Sequence, residues 1–267
     1  MFTIVEIYTK LKKFWRSSEL SFFGKLVIII SKTFKKLFSP FRVVFYKTLP
    51  KYDLYGWKNR TQKEAESDYS LVNSLERLNF LESSIDFTSI SSFLELGCNS
   101  GVNLIPLAVK YPKIRFVGVD FNSQAVKFST KTSQDLGLTN IYFHKFDIQS
   151  RRFWRFLSSE TNKFEVIFSW ATLIYVHPFK IKRVMDALVE NCVTQLILIE
   201  QEERTYKRRG RLIPGQPTWI RSYRDLILDS AHNIDGKLQI EVQEVMERDW
   251  HPAGGNGRLV VCSKTLK

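Results

Sequence analysis

Cysteine is scarce in this chain of 267 residues: Cys98, Cys192 and Cys262 are all it has, they cannot all pair, and none has a partner at metal-ligand spacing. That excludes a disulfide-stapled scaffold and a structural zinc, and it favours a reducing, cytoplasmic compartment. Long apolar runs are missing too. Lys25 and Lys32 bracket the longest one, which falls short of the roughly eighteen residues a membrane-spanning helix needs. No small-residue cleavage site follows an apolar core, as an exported chain would show. Also absent is a G-x-G-x-x-G run, the loop that seats a pyrophosphate on a helix N-terminus. With 44% hydrophobic residues, the chain still has enough apolar side chain for a normal core, and its length accommodates one catalytic domain plus an extension.

The most informative stretch is Phe93-Leu-Glu-Leu-Gly-Cys-Asn-Ser-Gly101, followed one helix-length later by Phe116-Val-Gly-Val-Asp120. An apolar strand running into Gly97 and Gly101 lets the backbone turn sharply and approach a ligand where a Cβ would clash. A second apolar strand then ends on Asp120, a carboxylate placed to hold a ribose. Glu95, two residues before the first glycine, suits a cationic ligand better than a pyrophosphate. Together these features describe a nucleoside-cofactor pocket.

The pattern resembles the acidic-x-Gly-x-Gly-x-Gly motif of the class I S-adenosylmethionine-dependent methyltransferases, with Asn99 in place of the central glycine. Asn enters left-handed backbone conformations more readily than other non-glycine residues. The resemblance implies S-adenosyl-L-methionine as cofactor and Glu95, Gly97, Cys98, Asn99, Gly101, Asp120 and Phe121 as residues around it. It also implies that Asp147 receives the adenine amino group with Ile148 beside the ring, and that Ser169, near the end of the fourth strand, lies at the pocket floor. Read for itself, Cys98 is a small packing residue rather than a nucleophile, and Asp147 could equally cap a helix. His177 stands where the family brings acceptor and methyl together. A histidine there is a candidate catalytic base for a hydroxyl acceptor, or else a cap for the helix begun by Pro178 or a residue packed against the sheet edge. Tyr175, Glu200 and His251 are weaker candidates for that task.

Hydrophobic periodicity predicts strands at Ser92–Leu96, Ile114–Val119, Asn140–Phe146, Phe164–Trp170 and Gln195–Glu200. Helices are expected at Val102–Lys110, Ser123–Leu136, Phe179–Glu190 and Thr218–Ser230. Leu238–Arg248 and Arg258–Thr265, joined by a Gly-rich turn, form a hairpin. The fold expected is α/β, a doubly wound and mainly parallel seven-stranded sheet with a C-terminal antiparallel hairpin, over residues 91–267. Residues 51–90 are a linker and a lid helix from about Gln62 to Glu82, with Tyr55, Trp57 and Tyr69 available for packing or for contact with a sulfonium. Arg204–Arg211 and the Pro-Gly turn after it suggest a second, basic lid.

Residues 1–50 carry ten Lys or Arg against Glu6 and Glu19, a net of +8 within the chain's formal +13. Their aromatic and aliphatic residues recur at helical spacing, so the region reads as a basic amphipathic helical extension suited to an anionic membrane surface. Packing on its own domain, or RNA binding, would use the same residues, nucleic acid gaining less from Leu26-Val-Ile-Ile-Ile30. The expected activity is methyl transfer to a small polar acceptor, preferably a hydroxyl of a sugar, glycan precursor or lipid-linked intermediate at the inner membrane face. RNA or protein methylation, or a membrane-recruited nucleoside-binding protein without catalysis, are the alternatives. A nicotinamide-dependent oxidoreductase fits neither the glycine spacing nor the terminal hairpin.

Overall fold

The computed structural model describes Trp57, residues 60–71, 74–159, 163–205, 210–212, 218–231, 237–244 and 257–265. The amphipathic extension of residues 1–50, Tyr55, the side chain of Tyr69, His251, most of the basic loop and the turn of the terminal hairpin lie outside them. Residues 51–267 form one compact unit.

Two helical stretches, α1 (Gln62–Leu71) and α2 (Ser74–Ser84), precede the sheet, over the region expected to be helical from about Gln62 to Glu82. Then come β1 (Ser92–Leu96), α3 (Leu104–Lys110), β2 (Arg115–Asp120), α4 (Ser123–Asp135) and β3 (Ile141–Lys145). They are followed by α5 (Arg151–Leu157), β4 (Phe164–Trp170), a 3₁₀ turn (Leu173–Tyr175), α6 (Ile181–Asn191) and β5 (Cys192–Gln201). A short ribbon, β6 (Arg211–Leu212) and β7 (Trp219–Ile220), leads to α7 (Tyr223–Ser230), β8 (Lys237–Glu244) and β9 (Gly257–Thr265).

The seven-stranded sheet runs β3-β2-β1-β4-β5-β9-β8. Its first five strands are parallel, and β9 and β8 close it antiparallel. Alternate residues feed two cores. Leu94, Leu96, Ile167 and Leu198 pack with α5, α6 and α7, whereas Phe93, Phe168 and Ile199 pack with α2 and α3. Because chain order reverses between β1 and β4, a crevice opens beyond their carboxyl ends, the position where open α/β sheets take their ligands.

Two elements depart from the sequence reading. Residues 218–222 do not begin a helix: Trp219 and Ile220 pair with β6, and the helix starts only after Ser222, whose hydroxyl accepts from the Asp225 amide. Aromatic and β-branched residues favour that extended start. Helix α5, not anticipated, is initiated by Ser150, whose side chain accepts from the Phe153 amide.

Gly97 and Gly137 both have φ near +68°, but their surroundings differ. A Cβ on Gly97 would lie 2.1 Å from Thr172 Oγ1, whereas one on Gly137, just past the end of α4, would meet nothing within 4 Å. Gly137→Ala is therefore expected to cost only the left-handed backbone term, about 1–2 kcal/mol. Gly97→Ala adds a collision with the half-buried Thr172 side chain and is expected to cost roughly 2–4 kcal/mol. Chemical denaturation of the two variants checks the order; equal losses would refute the contact.

Candidate active site

The first side of the crevice is built by β1 and the turn after it. Gly97 and Gly101 take positive φ, as does Asn99 at 46°, the conformation for which an asparagine can replace glycine. The amides of Gly97 and Cys98 both donate to the Val119 carbonyl, at 2.7 and 3.1 Å, tying the turn to the end of β2. Cys98 is buried, its sulfur where a Cβ on Gly118 would sit at 2.7 Å, so it fills the gap that Gly118 leaves. Burial, reinforced by Asp120 and Glu95, raises its thiol pKa well above the ordinary value, in keeping with a packing role.

Asp120 ends β2 and is nearly buried. One of its oxygens accepts from the Asn99 amide at 3.0 Å and the other from the Asn122 amide at 2.8 Å. Burial raises its pKa, while the amides of Asn122, Asn99 and Phe121 favour the anion. The half-buried Phe121 thus takes part through its backbone. Asn122 caps α4 with its side-chain oxygen and, through its amide nitrogen, donates to the carbonyls of Trp57 at 2.5 Å and Arg60 at 3.3 Å. The segment ahead of α1 is thereby pinned above the end of β2. From there the Trp57 ring meets Tyr175 edge-on at 6.1 Å, on the loop that follows β4. Trp57 and Tyr175 thus make a lid contact from one side of the crevice to the other.

Glu95 is 2% exposed, and its Oε1 accepts from Asn103 Nδ2 at 2.6 Å. Asn103 occupies the N-cap of α3 but makes no side-chain cap bond; its Oδ1, the atom that would cap, faces Arg77 instead. Arg77, on α2, donates to Asn103 Oδ1 at 3.4 Å and stacks on Trp170 at 4.4 Å. Glu95 Oε2 is buried without a hydrogen-bond partner. Such an atom normally has one, so it marks a place for a donor from outside the chain. Burial pushes the Glu95 carboxyl up to about 8 against the pull of Asn103 and Arg77, with Asp120 adding to the rise, and a cation bound at Oε2 would draw it back toward the carboxylate.

The opposite side is the loop Ala171–His177. Its first residue holds φ +52°, a strained value for alanine. Glu200, at the end of β5 and fully buried, gathers the loop. Its Oε1 accepts from Ser169 Oγ at 2.6 Å and from the amides of Thr172 and Leu173 at 3.1 and 3.0 Å, and its Oε2 from the Ile174 amide at 3.2 Å. Arg221, also fully buried, donates to the Leu173 carbonyl at 2.9 Å and to the Val176 carbonyl. Carboxylate and guanidinium thus hold the two polar sides of one turn. Glu200 had counted only as a weak alternative base, and the sequence of Trp219-Ile-Arg-Ser-Tyr223 assigns no role to Arg221.

The remaining predicted residues occupy varied places. Ser169 is fully buried and gives its proton to Glu200, so it holds the loop rather than facing a ligand. Asp147 is exposed just past β3 and accepts from the Gln149 amide at 2.8 Å, turning the chain into α5. Ile148 is buried in the core on the α5 face. His177 Nδ1 accepts from the Phe179 amide at 3.3 Å, and its own amide donates to Gln149 Oε1 at 3.0 Å. In the neutral ring this assigns the proton to Nε2. The imidazole therefore caps the turn before α6, one of the roles open to it from sequence. Among the described residues, no group of three or more His, Cys, Asp or Glu could hold a metal ion.

A methyltransferase-domain family model matches residues 88–248. The chain belongs to that family. The cofactor of these enzymes is S-adenosylmethionine, and a buried carboxylate oxygen awaiting a donor beside a glycine-lined turn fits its cationic methionine end. An uncharacterized protein of Rickettsia prowazekii, RP789, is 33% identical over 138 residues, 52% of this chain and 22% of that protein. Ribosomal RNA small subunit methyltransferase G of Phocaeicola vulgatus is 30% identical over 95 residues, 34% of this chain and 46% of that one. The chain thus spans less than half the length of either curated relative. Among solved structures, an O-methyltransferase from a trans-AT PKS multienzyme of Brevibacillus brevis, in complex with S-adenosyl-L-homocysteine, superposes with a TM-score of 0.54 at 12% identity, over 72% of each chain. The [4+2]-cyclase SpnF superposes with a TM-score of 0.51 at 14% identity, over 66% of this chain and 76% of that one. These likenesses establish the fold.

Glu95 gives the site a distinctive pH signature. Its carboxyl titrates near 4.5 when unfolded and near 8 when folded, so the folded chain binds the extra proton in between. Its contribution to stability is full below pH 4.5 and lost as pH rises through 8. Glu95→Gln, neutral throughout, should match wild type near pH 5 and melt several degrees higher at pH 8. Glu200 and Glu202, both raised to about 7 by burial, keep part of the slope up to that pH. Thermal denaturation from pH 5 to 8 checks this; parallel curves for the two proteins would rule it out.

Proposed function

We propose that the chain transfers a methyl group from S-adenosylmethionine to a small polar acceptor bearing a hydroxyl. The observation that carries this reading is the orphaned Glu95 Oε2 beside Asp120, within a turn of three positive-φ residues at the β1–β4 switch point. On this reading Glu95 receives the methionine ammonium, Asp120 the ribose hydroxyls, and the backbone from Gly97 to Gly101 passes close enough to exclude water. When bound, S-adenosylmethionine supplies an electrophilic methyl on a sulfonium.

The chain's own contribution is mainly orientation, which for a reaction between two bound partners is worth several powers of ten. Loop 171–177 is the acceptor's side of the crevice, and Glu200 and Arg221 keep it from yielding. Tyr175 and Trp57 present aromatic surface there, suited to a ring or sugar face and to a nearby sulfonium. With His177 Nδ1 engaged by Phe179, a hydroxyl acceptor loses its proton to water or to another group at the rim.

For the acceptor's source, the basic and apolar residues 1–50 support delivery to an anionic membrane surface, where a glycan precursor or lipid-linked intermediate would be met. No helix among the described residues is long and apolar enough to cross a membrane.

Two measurements test these statements separately. Calorimetric titration of S-adenosylmethionine and S-adenosylhomocysteine should give binding in the micromolar range, weakened at least tenfold in Asp120→Ala; a folded protein that binds neither would end the methyltransferase reading. Co-sedimentation with phosphatidylglycerol vesicles should fall severalfold when Lys12, Lys13, Lys35 and Lys36 are changed to Glu. Unchanged sedimentation would remove the membrane from the proposal and leave the enzymatic reading intact.

A further inference from the structure

Away from the crevice, on the face covered by α5 and α6, lies a concavity of about 580 Å³ lined by Arg151, Trp154, Arg155, Ser158 and Arg183. Three guanidinium groups share it, and none of its lining residues is a carboxylate. No ion pair joins any of the three arginines to an acid among the described residues, although Lys182, next to Arg183, pairs with Asp186. Trp154 is fixed as one wall: its Nε1 donates to the Ile148 carbonyl at 3.0 Å, and the Arg183 guanidinium stacks on its ring at 4.1 Å. A stacked guanidinium keeps its N–H donors in the ring-parallel plane, free to form the paired bonds that suit phosphate oxygens.

The arrangement costs the fold something. Arg151 and Arg155 are like charges one helical turn apart, and α5 opens with Arg151 and Arg152 and no acid in its first turn, the reverse of what the helix dipole favours. A buried apolar face accounts for Phe153 and Leu157 but not for the arginines, which are exposed. A multivalent anion in the concavity would relieve all of these repulsions at once. The volume is in the range of small-molecule sites and larger than a single phosphate needs, and the concavity opens broadly to solvent.

We propose that Arg151, Arg155 and Arg183 form a binding site for a phosphorylated small molecule, a mono- or diphosphate ester, separate from the cofactor crevice. The bonds are charge-assisted hydrogen bonds from three guanidinium groups to phosphate oxygens, with Trp154 as an apolar wall for the rest of the ligand. The site does not depend on the methyltransferase reading, because no residue of the crevice lines it.

The test uses the full chain and inorganic pyrophosphate as probe, titrated calorimetrically at fixed ionic strength. Saturable one-to-one binding is expected, weakened at least tenfold in Arg155→Ala and in Arg183→Ala, with Arg183→Lys intermediate because it keeps the charge but loses the fork. The substituted side chains are exposed, so S-adenosylhomocysteine binding by the same variants, expected unchanged, certifies their folding. No saturable binding, or binding equal in all variants, overturns the proposal. So does binding of a twenty-nucleotide single-stranded RNA that the variants lose while pyrophosphate never binds, which would make the concavity part of a polyanion track.

Discussion

Everything near the crevice depends on how closely two loops approach at the switch point. The turn after β1 and the loop after β4 meet where Gly97 faces Thr172, at a distance that leaves no room for a Cβ. That approach needs a left-handed glycine on one side and a loop that cannot recede on the other. Glu200 supplies the second requirement with four accepted hydrogen bonds, three of them from consecutive backbone amides. A buried carboxylate is costly to desolvate, and this one is offset by the donors it collects. Arg221 binds the carbonyls of the same turn, so removing either charge would leave the other buried with less to neutralise it.

The two faces of the sheet divide the labour. Toward α2 and α3, Glu95, Asn103 and Arg77 form a polar chain that ends on the stacked Trp170. Toward α6 and α7, Ser169, Glu200 and Arg221 form another that ends on the loop backbone. The first leaves one carboxylate oxygen without a partner, whereas both oxygens of Glu200 are occupied. On the proposed reading that difference separates a binding role for Glu95 from a positioning role for Glu200, although both are buried glutamates at strand ends.

That distinction also marks what could be read from sequence. The turn after β1 was legible because left-handed backbone leaves a trace in residue type: Gly97, Asn99 and Gly101 are the residues that tolerate it, and all three adopt it. Asp120 was singled out by its place at the end of the second apolar strand, one helix-length beyond the glycine turn. The parallel strands and the closing hairpin followed from periodicity. Glu200 and Ser169 were opaque, since they are 31 positions apart and become neighbours only because β4 and β5 pair in register. Arg221 and Arg77 were opaque for a related reason: a cation in a polar segment reads as solvated until the elements around it are known. His177 was legible as a residue of interest and ambiguous as to role, and the bond from the Phe179 amide to Nδ1 has no signal beyond the His-Pro-Phe order.

The same physics leaves the acceptor's side of the crevice the freest to vary. Methyl transfer from a sulfonium needs two reactants held in line and water kept out, and it asks little of any single side chain. The residues that hold the cofactor are therefore under tight backbone constraint, while those that meet the acceptor need only a shape. A [4+2]-cyclase carries the same sheet, so the scaffold itself does not choose the reaction. On the proposed reading the choice falls to two elements over the crevice, Trp57 and Arg60, whose carbonyls Asn122 holds, and the 171–177 loop held by Glu200 and Arg221. Both are fixed from behind by polar contacts independent of any acceptor. The gap between Trp57 and Tyr175 can therefore change with substitutions at its surface without disturbing the bonds that keep it in place.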